Sequence, residues 1–209
     1  MLSALQKDAL TESINVAIGQ AASLLSELAE EKVELAVPKV DFCDTVNAES
    51  IKDILPFSEK GHIVSSSIKF GNKMKGTARL FIPAKESKQL VNIFLNEEYI
   101  VDNDFENLTS IDFDAIKEIG NLLLNAVMGG FANLLNIVFT YQPPDVELIN
   151  MERLSKSLMD YEDIGTLFII HNNFLLRHKK ITGTILVFLK VDSSDFLFEK
   201  LNEILSDVL

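Results

Sequence analysis

Apolar residues fall at steps of three and four through the start of this chain. Leu10, Ile14, Ala17, Ile18, Ala21, Leu24, Leu25 and Leu28 line one side of a helix at that interval. Ala, Gln, Lys and Glu fill the positions between, and no proline intervenes, so the pattern predicts a helix over about 2–31. The period then drops to two. Val33 to Phe42 reads as a strand, in which Pro38 demands an edge position or a bulge. A short helix near Glu49 to Leu55 and a turn at Pro56 are expected next. Ile63 to Phe70 and Lys75 to Ile82 form a hairpin around Gly71-Asn72-Lys73, with Thr77, Arg79 and Phe81 alternating with Ala78, Leu80 and Ile82. Pro83 stops that strand, and a helix is expected from Ala84 to Leu95.

Asp102 to Ser110 is acidic and polar, the composition of a joint, and beyond it the cycle restarts. A long helix opens at Ile111 or Asp112 and ends near Asn136. A strand over Ile137 to Ile149 carries Pro143 and Pro144, and a short helix is expected around Glu152 to Met159. Gly165 to Asn172 and Lys180 to Leu189 make a second hairpin, joined through Phe174 and His178. A last helix runs from Ser194, a candidate cap, to Val208. Each half alone has too few strands to hide its apolar faces. The expected fold is therefore α+β: a single pseudo-two-fold domain over 1–209, built from helix-strand-hairpin-helix repeats of about 1–105 and 106–209.

One polar pattern marks the repeat. Asp8, Glu12, Asn15 and Pro38 recur as Asp114, Glu118, Asn121 and Pro144, every pair 106 positions apart. Ala9 and Ala115, Leu28 and Leu134, and Val40 and Val146 match at the same offset. Within each helix the Asp, Glu and Asn stand at i, i+4 and i+7 and so share one face. A single such set is what the wet face of any amphipathic helix looks like. The second copy changes the balance, because Asn121 sits inside an almost wholly apolar run, where it adds neither packing nor helix propensity. A Glu and an Asn one turn apart can do chemistry: the carboxylate grips a cation and the amide orients a water.

Composition narrows the rest. The chain of 209 residues is large enough to bury a core, and 31 acidic against 19 basic residues give a net charge of -12. That balance repels phosphate backbones and anionic membrane surfaces, so a nucleic-acid partner is not expected. Cys43 is alone, and His62, His171 and His178 lack metal-ligand spacing, so no metal site is expected. Ile119 to Phe139 is apolar enough to consider as a membrane span, but Asn121, Asn125, Asn133 and Asn136 within it favour a buried helix that surfaces on one side. The N-terminus shows no secretory signal, and a cytoplasmic location is expected.

At these residues the chain resembles a known family. Asp/Ser-x3-Glu-x2-Asn-x22-Pro is the signature of the CheC/CheX/FliY phosphatases of bacterial chemotaxis, and both copies satisfy it. Lys117-Glu118-Ile119-Gly120-Asn121 is typical of the family, and the doubled signature looks most like its CheC branch. Departures follow each Asn: Val16-Ala17-Ile18-Gly19-Gln20 in one half, Leu122-Leu123-Leu124-Asn125 in the other. Ile14 also stands where a Gly is usual.

The resemblance implies a CheC-like fold and hydrolysis of the aspartyl-phosphate of a CheY-type response regulator. It implies that Asn15 and Asn121 orient the attacking water and that Glu12 and Glu118 salt-bridge the regulator's active-site lysine. Asp8 and Asp114 either cap or orient the helix turn or contact the regulator, and Pro38 and Pro144 are architectural. No cofactor is expected on this chain, and Mg²⁺ belongs to the regulator's own site. The alternative is an adaptor, weakly catalytic or not at all, that binds the receptor deamidase CheD or a flagellar switch partner.

Overall fold

Two long antiparallel hairpins lie side by side at the centre of the molecule. The computed structural model describes residues 2–36, 38–43, 61–96, 108–150, 152–154, 156, 164–176 and 179–206. The first hairpin joins β3 (His62–Asn72) to β4 (Gly76–Pro83), with Ile63 opposite Pro83 and Phe70 opposite Gly76. Asn72 turns the chain with φ 113°, a conformation that Asn tolerates better than most residues. The second hairpin joins β7 (Ile164–Leu176) to β8 (Lys179–Lys190) and is longer than its alternation predicts. β4 and β8 pair antiparallel, so the two hairpins share one sheet.

Four short strands finish the edges: β1 (Glu34–Leu35), β2 (Lys39–Cys43), β5 (Phe139–Tyr141) and β6 (Asp145–Asn150). The expected strands over 33–42 and 137–149 are thus each broken in two. The breaks fall in the same frame, with Pro38 directly before β2 and Pro144 directly before β6. A proline has no N–H to give the ladder, so pairing lapses in front of it and resumes behind it. β1 and β2 pair with β7, whereas β5 and β6 pair with β3. Each half therefore lends its edge strands to the other half's hairpin. Sheet order reads the same from either side of the β4–β8 seam.

Helices α1 (Ala4–Leu28), α2 (Ala84–Phe94), α3 (Ser110–Leu135) and α4 (Val191–Ser206) cover one face of the sheet. Alternation along the strands explains the choice of face. Ala78, Leu80 and Ile82 of β4 join Phe168 and Ile170 of β7 in the core beneath the helices, while Phe81, Leu167 and Ile169 pack on the opposite face. From α1, Leu10, Ile14, Ala17, Ile18, Ala21 and Leu25 are buried as predicted. Leu24 and Leu28 are about half exposed instead, on the flank of the stripe, while Leu25 and Ala29 beside them stay in the core. α3 buries Ile116, Ile119, Leu123, Leu124, Val127, Met128, Phe131 and Leu135, which explains its apolar run as a core helix. No helix among the described residues is long and apolar enough to cross a membrane.

The last helix corrects an expectation. α4 begins at Val191, three residues before the expected cap, and Ser194 lies inside it with its Oγ donating to the Lys190 carbonyl at 3.2 Å. The hydroxyl satisfies a carbonyl one turn back rather than the first free N–H groups. The expected helix at 49–55, the turn at Pro56, residues 102–107 of the joint and His178 lie outside the described residues.

Candidate functional site

Both polar sets ride on helices whose starts are fixed by reciprocal caps. Ser3 Oγ accepts from the Gln6 backbone N–H at 3.3 Å, and Gln6 Oε1 accepts from the Ser3 N–H at 2.8 Å. In α3, Thr109 Oγ1 and Asp112 make the same exchange, at 3.3 Å and 2.7 Å. Ser3 and Thr109, like Gln6 and Asp112, are 106 positions apart. The other half's last helix completes each cap: Gln6 Nε2 donates to Asn202 of α4 at 2.8 Å, and Lys88 of α2 donates to both Asp112 oxygens at 2.7 and 2.9 Å. Burial alone would push the Asp112 carboxyl up, but the Lys88 and Thr109 bonds outweigh it and hold the group below its usual range.

Asp8 and Asp114 sit past these caps, each the fifth residue of its helix, so the capping role weighed for them belongs to Ser3 and Thr109. Asp8 and Glu12 are exposed and Asn15 is half-buried; Asp114, Glu118 and Asn121 repeat that order. The two faces share this order of burial, with the acids exposed and the amide half-buried. Leu5 and Ile111, a turn before the acids and again 106 apart, are 49% and 62% exposed and put an apolar residue beside each set. Among the described residues no hydrogen bond or ion pair joins one set to the other, and Glu12 and Glu118 have no cationic neighbour in bonding range. No group of three His, Cys, Asp or Glu among them could hold a metal ion.

Pro38 is buried and Pro144 half-buried. β2, which starts behind Pro38, reaches the first site through Phe42, whose ring lies 5.7 Å beneath the ammonium of Lys7, the neighbour of Asp8. β6, behind Pro144, lies against α3. The helices meet where Ser13 Oγ donates to the Gly130 carbonyl at 2.8 Å, and a Cβ on Gly130 would stand 3.0 Å from the Ala17 methyl.

The two amides differ. Asn15 Oδ1 is buried and has no partner among the described residues, whereas Asn121 Oδ1 accepts from Asn125 Nδ2 at 2.8 Å. Sequence reading missed Asn125 as a partner, although its i+4 spacing from Asn121 allows the bond. It missed the caps as well, although Ser3-x2-Gln6 and Thr109-x2-Asp112 carry their pattern.

This fold is shared with solved structures. The chain matches FliY from Thermotoga maritima with a TM-score of 0.74 at 19% identity, covering 98% of this chain and 99% of that one. It matches a chain of the FliG–FliM complex from H. pylori with a TM-score of 0.62 at 12% identity, covering 95% and 100%. No family model matches. A curated relative, CheY-P phosphatase CheC of Bacillus subtilis (strain 168), is 22% identical over 163 residues, which is 77% of this chain and 75% of the relative. The fold is of the α+β, FliY-like class. In sequence the likeness is to CheC, and the doubled motif lies on the two long helices of this fold.

Proposed function

We propose that this chain hydrolyses the aspartyl-phosphate of a CheY-type response regulator at two sites. One observation carries the reading: an exposed glutamate and a half-buried asparagine stand one turn apart on a capped helix, twice, in the same frame. An acyl phosphate is already reactive, so the task is to place a water in line with the bond from phosphorus to the aspartyl oxygen. Positioning and electrostatics supply most of phosphoryl-transfer catalysis. Asn15 and Asn121 hold the water through their amides. Glu12 and Glu118, exposed and acidic, dock by pairing with the regulator's lysine, and Asp8 and Asp114 extend that acidic face. Mg²⁺ is supplied in the regulator's site. The likeness to CheC, named for CheY-P hydrolysis, supports the reading.

The test is release of phosphate from a CheY-type regulator phosphorylated with acetyl phosphate, using wild type, Asn15→Ala, Asn121→Ala and the double variant. The expected outcome is partial loss in each single variant and loss of acceleration in the double, about 100-fold if misplaced water is the whole cost. A double variant as fast as wild type would overturn the assignment.

The fold shared with the FliG–FliM complex favours a second reading, an adaptor for a flagellar switch partner, and CheD is a further candidate for such a role. An adaptor would bind its partner without regard to phosphorylation and would leave the regulator's decay unchanged.

A further inference from the structure

The two asparagines are not held alike, and the difference lies one turn further along each helix. Four residues after Asn121 stands Asn125; four residues after Asn15 stands Gly19. Asn125 Nδ2 donates to Asn121 Oδ1 at 2.8 Å. Asn125's own Oδ1 is buried and has no partner among the described residues. Its amide is thus committed to Asn121 at the expense of its own oxygen. Among the described residues of the first half nothing plays that part, and Asn15 has a buried oxygen with no partner among them. A buried carbonyl oxygen without a donor is unfavourable, so Asn15 gains by turning outward, whereas Asn121 gains by staying.

We propose that Asn125 is a positioning residue of the second site alone: it fixes the Asn121 amide so that its Nδ2–H₂ edge faces outward, while Gly19 leaves the Asn15 amide free to turn. This rests on the proposed function for its catalytic consequence, since the edge that meets the water decides whether the side chain donates to it or accepts from it. An Asn–Asn pair has two self-consistent arrangements, and both amides must flip together to pass between them. An aspartate at 125 permits only one, because a carboxylate cannot donate; Asn121 must then give its Nδ2 inward and turn Oδ1 outward. Gly19 is open to the reverse change, as a Cβ there would meet nothing within 4 Å.

The experiment reads the amide and the rate separately. In ¹⁵N relaxation spectra of the full chain, the Asn121 side-chain amide should be rigid and the Asn15 amide mobile. Asn125→Gly should make Asn121 as mobile as Asn15, and Gly19→Asn should make Asn15 rigid. In an Asn15→Ala background, Asn125→Gly should lower kcat for the phosphorylated regulator about tenfold with KM unchanged. Asn125→Asp, nearly the same shape, should change kcat by a different factor from Asn125→Gly. Gly19→Asn in an Asn121→Ala background should raise kcat. An Asn121 amide equally rigid with and without Asn125 overturns the inference. So does a uniform loss in which the Gly and Asp variants behave alike, or a change confined to KM. If the wild type never accelerates decay of the regulator, the proposed function falls, and the relaxation spectra alone decide whether Asn125 holds Asn121.

Discussion

At position 120 the lack of a single methyl group lets a helix lie close against a strand. A Cβ on Gly120 would stand 2.3 Å from Ser66 Oγ and 2.6 Å from Ser66 Cβ on β3. Its counterpart 106 positions earlier is Ile14, fully buried, so α1 fills with a side chain what α3 closes by approach. Gly120→Ala should cost about 1–3 kcal/mol in urea unfolding and disturb the neighbouring Asn121. Gly129→Ala, where a Cβ meets nothing within 4 Å, should instead gain about 0.5–1 kcal/mol. Equal effects would show that the contact with Ser66 does not limit the approach. The Lys-Glu-Ile-Gly-Asn run was legible in the sequence, as was the polar face, because helical spacing is local. The reason for its glycine was not legible, since Ser66 is far along the chain and only the fold brings it there.

Helix starts belong to the next scale, where a few charged atoms at one end orient the whole rod. Asp112 lies buried against Lys88 and Thr109, and its carboxyl is held below its ordinary value of 3.8. The folded state therefore binds the proton less readily than the unfolded chain. The stability this gives is fully present above the unfolded value and is lost as pH falls through the lower, folded one. Asp112→Asn should destabilise the protein at pH 7 by about 1–3 kcal/mol. The gap to wild type should narrow on acidification below about pH 4. Urea titrations at pH 7 and pH 3 measure it; a gap that does not change with pH would remove Asp112 from the acid response. Periodicity found the helices to within a few residues. It misplaced the start of α4 because Ser194 resembles a cap in sequence, although its hydroxyl bonds backward to Lys190. The broken edge strands show the same limit: the prolines were visible, but two short ladders in place of one follow from which N–H groups the neighbouring strand needs.

For the molecule as a whole, the pairing of β2 with β7 and of β6 with β3 matters most. Neither half has its own edge. The doubled order of elements was readable from the chain, and the exchange of edges was not, because strand partners 130 positions apart, such as Val40 and Ile170, leave no trace in local pattern. We predict that residues 1–105 and 106–209, expressed separately, each lack a cooperative unfolding transition, and that mixing them restores one. A sharp transition from 1–105 alone would show that β3 and β4 hold their helices without the second half. Calorimetry of the fragments and of their mixture decides it.

The exchanged edges also bear on synthesis. A ribosome releases this protein from the N-terminus, and α1, β2 and the first hairpin emerge well before β7, the strand that β2 must join. The sheet edge of β3 stays uncovered until β5 and β6 follow, that of β4 until β8 follows, and the apolar stripe of α1 until α3 follows. The first half must wait in the crowded cell, unsheltered, for the second to be made. A chain of this design exposes unpaired strand edges during synthesis for longer than one whose halves pair within themselves.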